Sequence, residues 1–168
     1  LEQSSNIGVS RIIDEAYKDN PQRYVDGLRR LGVGIPLNLP FVGKGEPVIP
    51  QPNSKIRYWS KSDLPWMSIG YVTQQPVIST LTFYNGIAND GRMVAPRLID
   101  RIERDGEVIE RMPTVTLIDK MCSKRTLNLL DSCLVAGASR TSGKFNNLPT
   151  SFGCKTGTAQ MWSTFTSI

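Results

Sequence analysis

The sequence predicts an α/β or α+β layered fold, and three observations predict it. Apolar residues recur at helical spacing in four separate segments. Two short β-rich runs flank the dipeptide Asp105-Gly106, a hairpin turn signal, and a last β-like stretch runs from Ser151 to Ala159. Helices, then a hairpin, then a helix, then a strand is the order expected of helices packed on an antiparallel sheet.

The first helix is predicted from about Asn6 to Tyr17, where Val9, Ile12, Ile13, Ala16 and Tyr17 share one face and Ser4, Ser5 or Asn6 can cap the start. The second begins at Pro21 behind the cap Asn20, with Tyr24, Val25, Leu28 and Leu31 as its stripe, and Gly32 ends it. From Val33 to Pro65 the pattern breaks down. Six of the eleven prolines (Pro36, Pro40, Pro47, Pro50, Pro52 and Pro65) fall there, so a long irregular crossover is predicted, held down by Trp59 and Trp66. Loops of that length often line functional sites. A third helix is expected over Pro76 to Asn89, carrying Ile78, Leu81, Thr82, Asn85, Ile87 and Ala88. The hairpin pairs Leu98–Glu103 with Glu107–Met112. A fourth helix starts near Ser123 with Leu127, Leu130, Leu134 and Val135. Gly137 to Asn147 reads as a flexible loop before the final strand.

Composition narrows the chemistry. With 168 residues, 39% apolar and 21% charged, the chain is long enough for one medium domain of ordinary globular character. No run of eighteen apolar residues and no basic-then-apolar leader is present, and the first residue is Leu rather than Met. The expectation is a segment of something longer. The net charge of +5 invites a nucleic-acid reading, but Arg29-Arg30, Lys55, Arg57, Arg101, Arg104 and Lys124-Arg125 are scattered among acids. No nucleic-acid partner is expected, and a basic nucleic-acid-binding module ranks far behind the readings below. There is no His, which excludes Ser-His-Asp and Cys-His catalysis and His-ligated zinc within these residues. Cys122, Cys133 and Cys154 have no metal-site spacing and are expected to be small buried apolar residues. No metal and no cofactor are expected. Any nucleophilic chemistry must move its protons through lysines, carboxylates or hydroxyls.

Two short constellations carry such chemistry. Ser4-Ser5-Asn6 stands before the first helix, and Lys155-Thr156-Gly157-Thr158-Ala159 lies in the final β-like stretch. Each alone is weak: the first is often a mere helix cap, the second a strand end with a turn glycine. Together, in this order, they match two of the three parts of the Ser-x-x-Lys, Ser-x-Asn, Lys-Thr-Gly signature. By these residues the chain resembles the penicillin-binding proteins. The 149 positions from Asn6 to Lys155 are more than expected of compact β-lactamases and resemble the large class B transpeptidases. Pro65-Trp66-Met67-Ser68-Ile69-Gly70, Thr73-Gln74-Gln75-Pro76 and Ala88-Asn89-Asp90-Gly91-Arg92 are similar to the division-type members rather than the elongation-type ones.

The resemblance implies a serine β-lactamase/transpeptidase-like fold over residues 1–168, incomplete. It would lack the Ser-x-x-Lys part at one end and further strands and a helix at the other. It implies a serine D,D-transpeptidase of cell division, cross-linking peptidoglycan stem peptides through an acyl-enzyme and acylated by β-lactams. Ser4 would relay a proton to the leaving group, and Asn6 would hold the substrate's amide carbonyl. Lys155 would supply positive charge near the substrate carboxylate and near Ser4. Thr156 and Thr158 would offer hydroxyls to that carboxylate, and Gly157 would let the substrate lie close to the backbone as an added strand. The Thr158 N–H would be an oxyanion donor. No Ser-x-x-Lys occurs anywhere in the 168 residues, so the nucleophile is absent from them and the chain alone is expected to be inactive. Glycine usually stands in the family where this sequence has Val72 and Cys154. Implied partners are the stem peptide, β-lactams and membrane proteins of the division machinery, with the parent protein anchored at the periplasmic face of the inner membrane. The alternative is a non-catalytic peptide-binding or β-lactam-sensor domain on the same fold.

Overall fold

A computed structural model of the chain describes residues 1–40, 45–141 and 149–157. Its residues divide into two compact units, Asn6–Asn128 and Leu1–Ser5 together with Leu129–Ile168.

The larger unit opens with α1 (Asn6–Tyr17) and α2 (Pro21–Arg30), both where the periodicity predicts them. Asn20 Oδ1 accepts from the Arg23 N–H at 3.3 Å, and Pro21 starts the helix where a missing N–H costs nothing. The end of α2 is equally local. The Val33 N–H donates back to the Leu28 carbonyl and the Gly32 N–H to that of Arg29, both at 2.9 Å, with Gly32 at φ +87°. The Tyr17 and Tyr24 rings join the two helices at 5.4 Å. α1 buries none of its residues fully, and Ile12 on its expected inner face is exposed.

Among the described residues the crossover forms no helix or strand up to Ser62, and a bridge links Val48 with Gln74. It ends sooner than expected, because α3 (Asp63–Ser68) begins inside it. Pro65 falls in the first turn of α3, where no intrahelical bond is lost, so the proline that reads as a breaker is compatible with a helix start. Trp66 is not the anchor: it is 48% exposed and rests edge-on against Tyr71 at 4.9 Å, whereas Leu64 and Met67 are buried. α3 packs on α1, where Ser10 donates to the Pro65 carbonyl at 3.2 Å.

Asp63, only 4% exposed, is the polar anchor of this region. Its carboxylate accepts both Arg57 guanidinium nitrogens, at 3.1 and 2.7 Å, and the Ser60 N–H at 2.7 Å. Burial alone would push the carboxyl up. The Arg57 and Ser60 hydrogen bonds outweigh burial and hold it below its ordinary value.

α4 (Val77–Ala88) follows and packs on β1 (Met93–Val94). Next come β2 (Arg101–Arg104) and β3 (Glu107–Arg111), the expected hairpin, pairing Arg101 with Arg111 and Arg104 with Glu107. Asp105 and Gly106 both have positive φ, 53° and 83°, as a two-residue turn of this hand requires. β4 (Thr116–Ile118) pairs antiparallel with β1. Neither β1 nor β4 is foreseen from the sequence, since strands of two and three residues carry no periodicity. Met93, 1% exposed, is the centre of this packing. A Cβ added to Gly32 would meet its sulfur at 2.5 Å, and one added to Gly86 would meet its Cα at 3.3 Å.

α5 (Lys124–Thr141) starts at the predicted cap: Ser123 Oγ accepts from the Thr126 N–H at 3.1 Å. The predicted flexible loop from Gly137 is corrected by this helix, which continues through Gly137 to Thr141. The rest of that loop lies outside the described residues. The predicted strand Ser151–Ala159 is corrected too. Residues 151–157 form no regular strand, and Thr158 and Ala159 lie outside the described residues. A strand needs a paired neighbour, and here the Cys154 N–H instead donates to the Leu134 carbonyl of α5 at 3.2 Å. Cys122, Cys133 and Cys154 are unpaired and half-buried rather than buried.

Two measurements test this packing. Gly86→Ala gains about 1 kcal/mol of helix propensity but collides with Met93 and with the Met121 sulfur at 2.7 Å. Denaturant unfolding should show a net loss of about 1–2 kcal/mol, and a gain would refute the close approach. For Asp63 the folded pKa is depressed, so its contribution is present above the ordinary carboxylate value of 3.8 and is lost as pH falls through the lower folded value. Stability measured against pH should fall below about pH 4. The same series on Asp63→Asn should be flatter over that acid range.

Candidate active site

The smaller unit brings Ser4, from the first motif, together with Lys155 and Thr156 of the second. Its first residues make a turn, in which the Ser4 N–H donates to the Leu1 carbonyl at 3.0 Å. Ser4 has φ +54°, a left-handed conformation that a non-glycine residue holds at a cost of about 1–3 kcal/mol and that clusters at functional sites. An ion pair between Glu2 and Arg140 at 3.1 Å ties this turn to α5. The other motif is held by the same helix. The Cys154 N–H bonds to Leu134, and Gly137 has no side chain where a Cβ would stand 3.4 Å from the Cys154 carbonyl. Gly153 likewise lies close to Leu134, where an added Cβ would be 3.1 Å from its Cβ. A bulkier pair of residues would hold Lys155 farther from the helix.

On this scaffold the Lys155 ammonium donates to Ser4 Oγ and also to the Thr156 carbonyl at 2.7 Å. The Thr156 hydroxyl donates to Ser4 Oγ as well, at 3.3 Å. A serine oxygen has two acceptor positions and one proton. With both acceptor positions filled, the Ser4 proton is directed to a third group. The arrangement is a positively backed hydroxyl poised to give up a proton and to regain one from the ammonium.

The remaining sequence candidates stand differently. Asn6 is exposed, begins α1 in the larger unit and makes no side-chain hydrogen bond to a described residue. It lines an apolar groove of about 430 Å³ with Ile7, Ser10, Pro65 and Trp66. Gly157 is exposed, and a Cβ built on it would meet nothing within 4 Å, so the space beside its backbone is open. Thr158 lies outside the described residues. Sequence reasoning missed the Glu2–Arg140 pair and Gly137, because neither belongs to a motif. Val72 carries φ +55°, strained for a β-branched residue, at a position where the resemblance expects glycine.

The geometry now has a family to stand in. Residues 1–167 match the family described as the penicillin binding protein transpeptidase domain. The chain belongs to this family. The resemblance drawn from the two motifs is thereby borne out, as is the mixed fold of helices and antiparallel strands. The penicillin-binding protein PbpB of Mycolicibacterium smegmatis is 31% identical over 109 residues, 64% of this chain and 16% of that protein. Penicillin-binding protein 3 of Mycobacterium tuberculosis, solved with ampicillin, aligns with a TM-score of 0.64 at 26% identity, over 84% of this chain and 30% of that one. Penicillin-binding protein A of M. tuberculosis, solved as an imipenem acyl-enzyme, aligns with a TM-score of 0.77 over 96% of this chain and 35% of that one. At 18% identity it speaks for the fold alone. The chain thus spans 16% of that curated relative's length and about a third of the solved chains.

The scaffold makes a direct prediction. Gly137→Val forces residues 153–155 away from α5 and breaks the Cys154-to-Leu134 bond. Amide hydrogen exchange at Cys154 should then speed up about fivefold, the loss of a bond worth roughly 1 kcal/mol. Unchanged exchange would show that α5 does not position Lys155.

Proposed function

We propose that this chain supplies the proton-relaying and substrate-holding side of a class B serine D,D-transpeptidase, the kind that cross-links peptidoglycan during cell division. The observation that carries the reading is Ser4 Oγ, which accepts hydrogen bonds from both Lys155 and Thr156. In the proposed reaction the nucleophilic serine belongs to a Ser-x-x-Lys segment that these 168 residues do not contain. Its proton passes to the lysine of that segment, and through it restores the one that Lys155 gives up, as its oxygen bonds to the carbonyl carbon of the penultimate D-Ala of a stem peptide. The amide C–N bond breaks, and the departing D-Ala nitrogen takes the Ser4 proton, which Lys155 replaces. An amine from a neighbouring stem peptide then attacks the ester, forms the cross-link and releases the serine.

Asn6 would hold the substrate's amide carbonyl, and Lys155 with the Thr156 and Thr158 hydroxyls would face its carboxylate. The open backbone at Gly157 would let the peptide lie alongside. A β-lactam enters the same steps, with its ring nitrogen as the leaving group. Membrane proteins of the division machinery and a periplasmic location at the inner membrane belong to this proposal.

Labelling with a fluorescent penicillin tests it. The full-length protein should label covalently, and the 168-residue chain alone should not. Lys155→Met in the full-length protein should slow labelling about a hundredfold or more, the scale of losing a positioned charge or acid–base partner. A full-length protein that never labels refutes the assignment. One that labels but never cross-links stem peptides is a β-lactam sensor instead.

A further inference from the structure

A second cleft lies in the larger unit, lined by residues that the reaction proposed above does not use. Between the end of α1 and the segment leading into α3 there is a cleft of about 460 Å³, within the size range of small-ligand sites. Tyr58 and Trp59 both line it. Asp14, Lys18, Asp19 and Lys61 bring two carboxylates and two ammonium groups to it.

Three features distinguish this cleft from an ordinary wet surface. First, Tyr58 is presented rather than packed, at 88% exposed, beside the half-buried Trp59. Second, the loop that carries them is held firmly. Ser54 Oγ accepts from the Ile56 and Arg57 N–H groups at 3.1 and 3.4 Å, and Arg57 is clamped on buried Asp63 by two hydrogen bonds. An exposed tyrosine between two such fixings loses little freedom when it meets a ligand. Third, the charged groups are unspent. Asp14 and Lys18, one helical turn apart, do not pair with each other, and the side chains of Asp14, Lys18, Asp19 and Lys61 have no ion pair or hydrogen bond with a described residue.

The ligand follows from this chemistry. A flat anionic lipid surface would favour basic groups alone and gains nothing from Asp14 and Asp19. An apolar protein segment gains nothing from four unpaired charges. A ligand with apolar C–H faces and a rim of hydroxyl and amide groups satisfies both parts, the faces on the aromatics and the rim on the carboxylates and ammoniums. We infer that this cleft binds a carbohydrate chain, and that the chain is the β-1,4-linked amino-sugar strand carrying the stem peptides. The aromatic and charged lining argues for a sugar. The choice of that particular sugar rests on the function proposed above.

Calorimetric titration of the full-length protein with the β-1,4-linked N-acetylglucosamine tetramer tests the inference. Saturable binding is expected. Tyr58→Ala should weaken it about tenfold without lowering the melting temperature, since the residue is exposed. Lys61→Met should weaken it as well. Neither change should alter fluorescent-penicillin labelling, so failure here and failure of the transpeptidase reading give different results. Absence of saturable binding, or equal binding by Tyr58→Ala, overturns the inference. So does Tyr58-dependent capture by phosphatidylglycerol vesicles with no response to the sugar.

Discussion

Met93 is where the larger unit closes. Its side chain is almost wholly buried, and the neighbouring backbones are shaped around it. Gly32, which must be glycine to end α2 in a left-handed turn, must also be glycine because Met93 occupies the volume of a Cβ. Gly86 sits in the middle of α4 despite its poor helix propensity, because Met93 and Met121 fill the space beside it. A single unbranched side chain therefore fixes the end of one helix, the face of another and the position of β1, which pairs with β4. Methionine suits this place: it is long and flexible enough to reach a gap set by backbone rather than by side chains.

The smaller unit is organised by a polar contact instead. Lys155 and Ser4 are 151 positions apart and meet at one hydroxyl. The work is divided among a strained turn at Ser4, an ion pair at Glu2 and Arg140, and the absence of side chains at Gly137 and Gly153. An exposed ion pair is worth at most about 1 kcal/mol, so the close approach of residues 153–154 to α5 is the firmer constraint.

What the sequence disclosed and what it hid divide along physical lines. Asn20 with Pro21, Gly32, Ser123 and Asp105-Gly106 act through neighbours a few residues away, so α2, the start of α5 and the hairpin could be read directly. α3 could not, because Pro65 has opposite meanings in a helix interior and in a first turn. β1 and β4 could not, because so short a strand exists only through its partner. Ser151 onward misleads in the other direction, since its composition suits a strand but its described part has no partner to pair with. For the site, motif order brought Ser4, Lys155 and Thr156 under suspicion together, and they do meet. The order said nothing of the supports: Gly137 carries no chemistry of its own, and Glu2 and Arg140 belong to no motif.

The absence of histidine gives the site its direction. A histidine beside Ser4 could offer a lone pair and draw the hydroxyl proton toward itself. The Lys155 ammonium has no lone pair to offer, and the Thr156 hydroxyl spends its proton on the same oxygen. Ser4 is thus supplied with protons from the protein side and can pass one only outward. That polarity suits a group that protonates a leaving amine and does not suit a nucleophile, which must lose its proton to a base. It is the polarity that the relay role proposed for Ser4 requires, with the covalent step left to the serine of the Ser-x-x-Lys segment in that proposal.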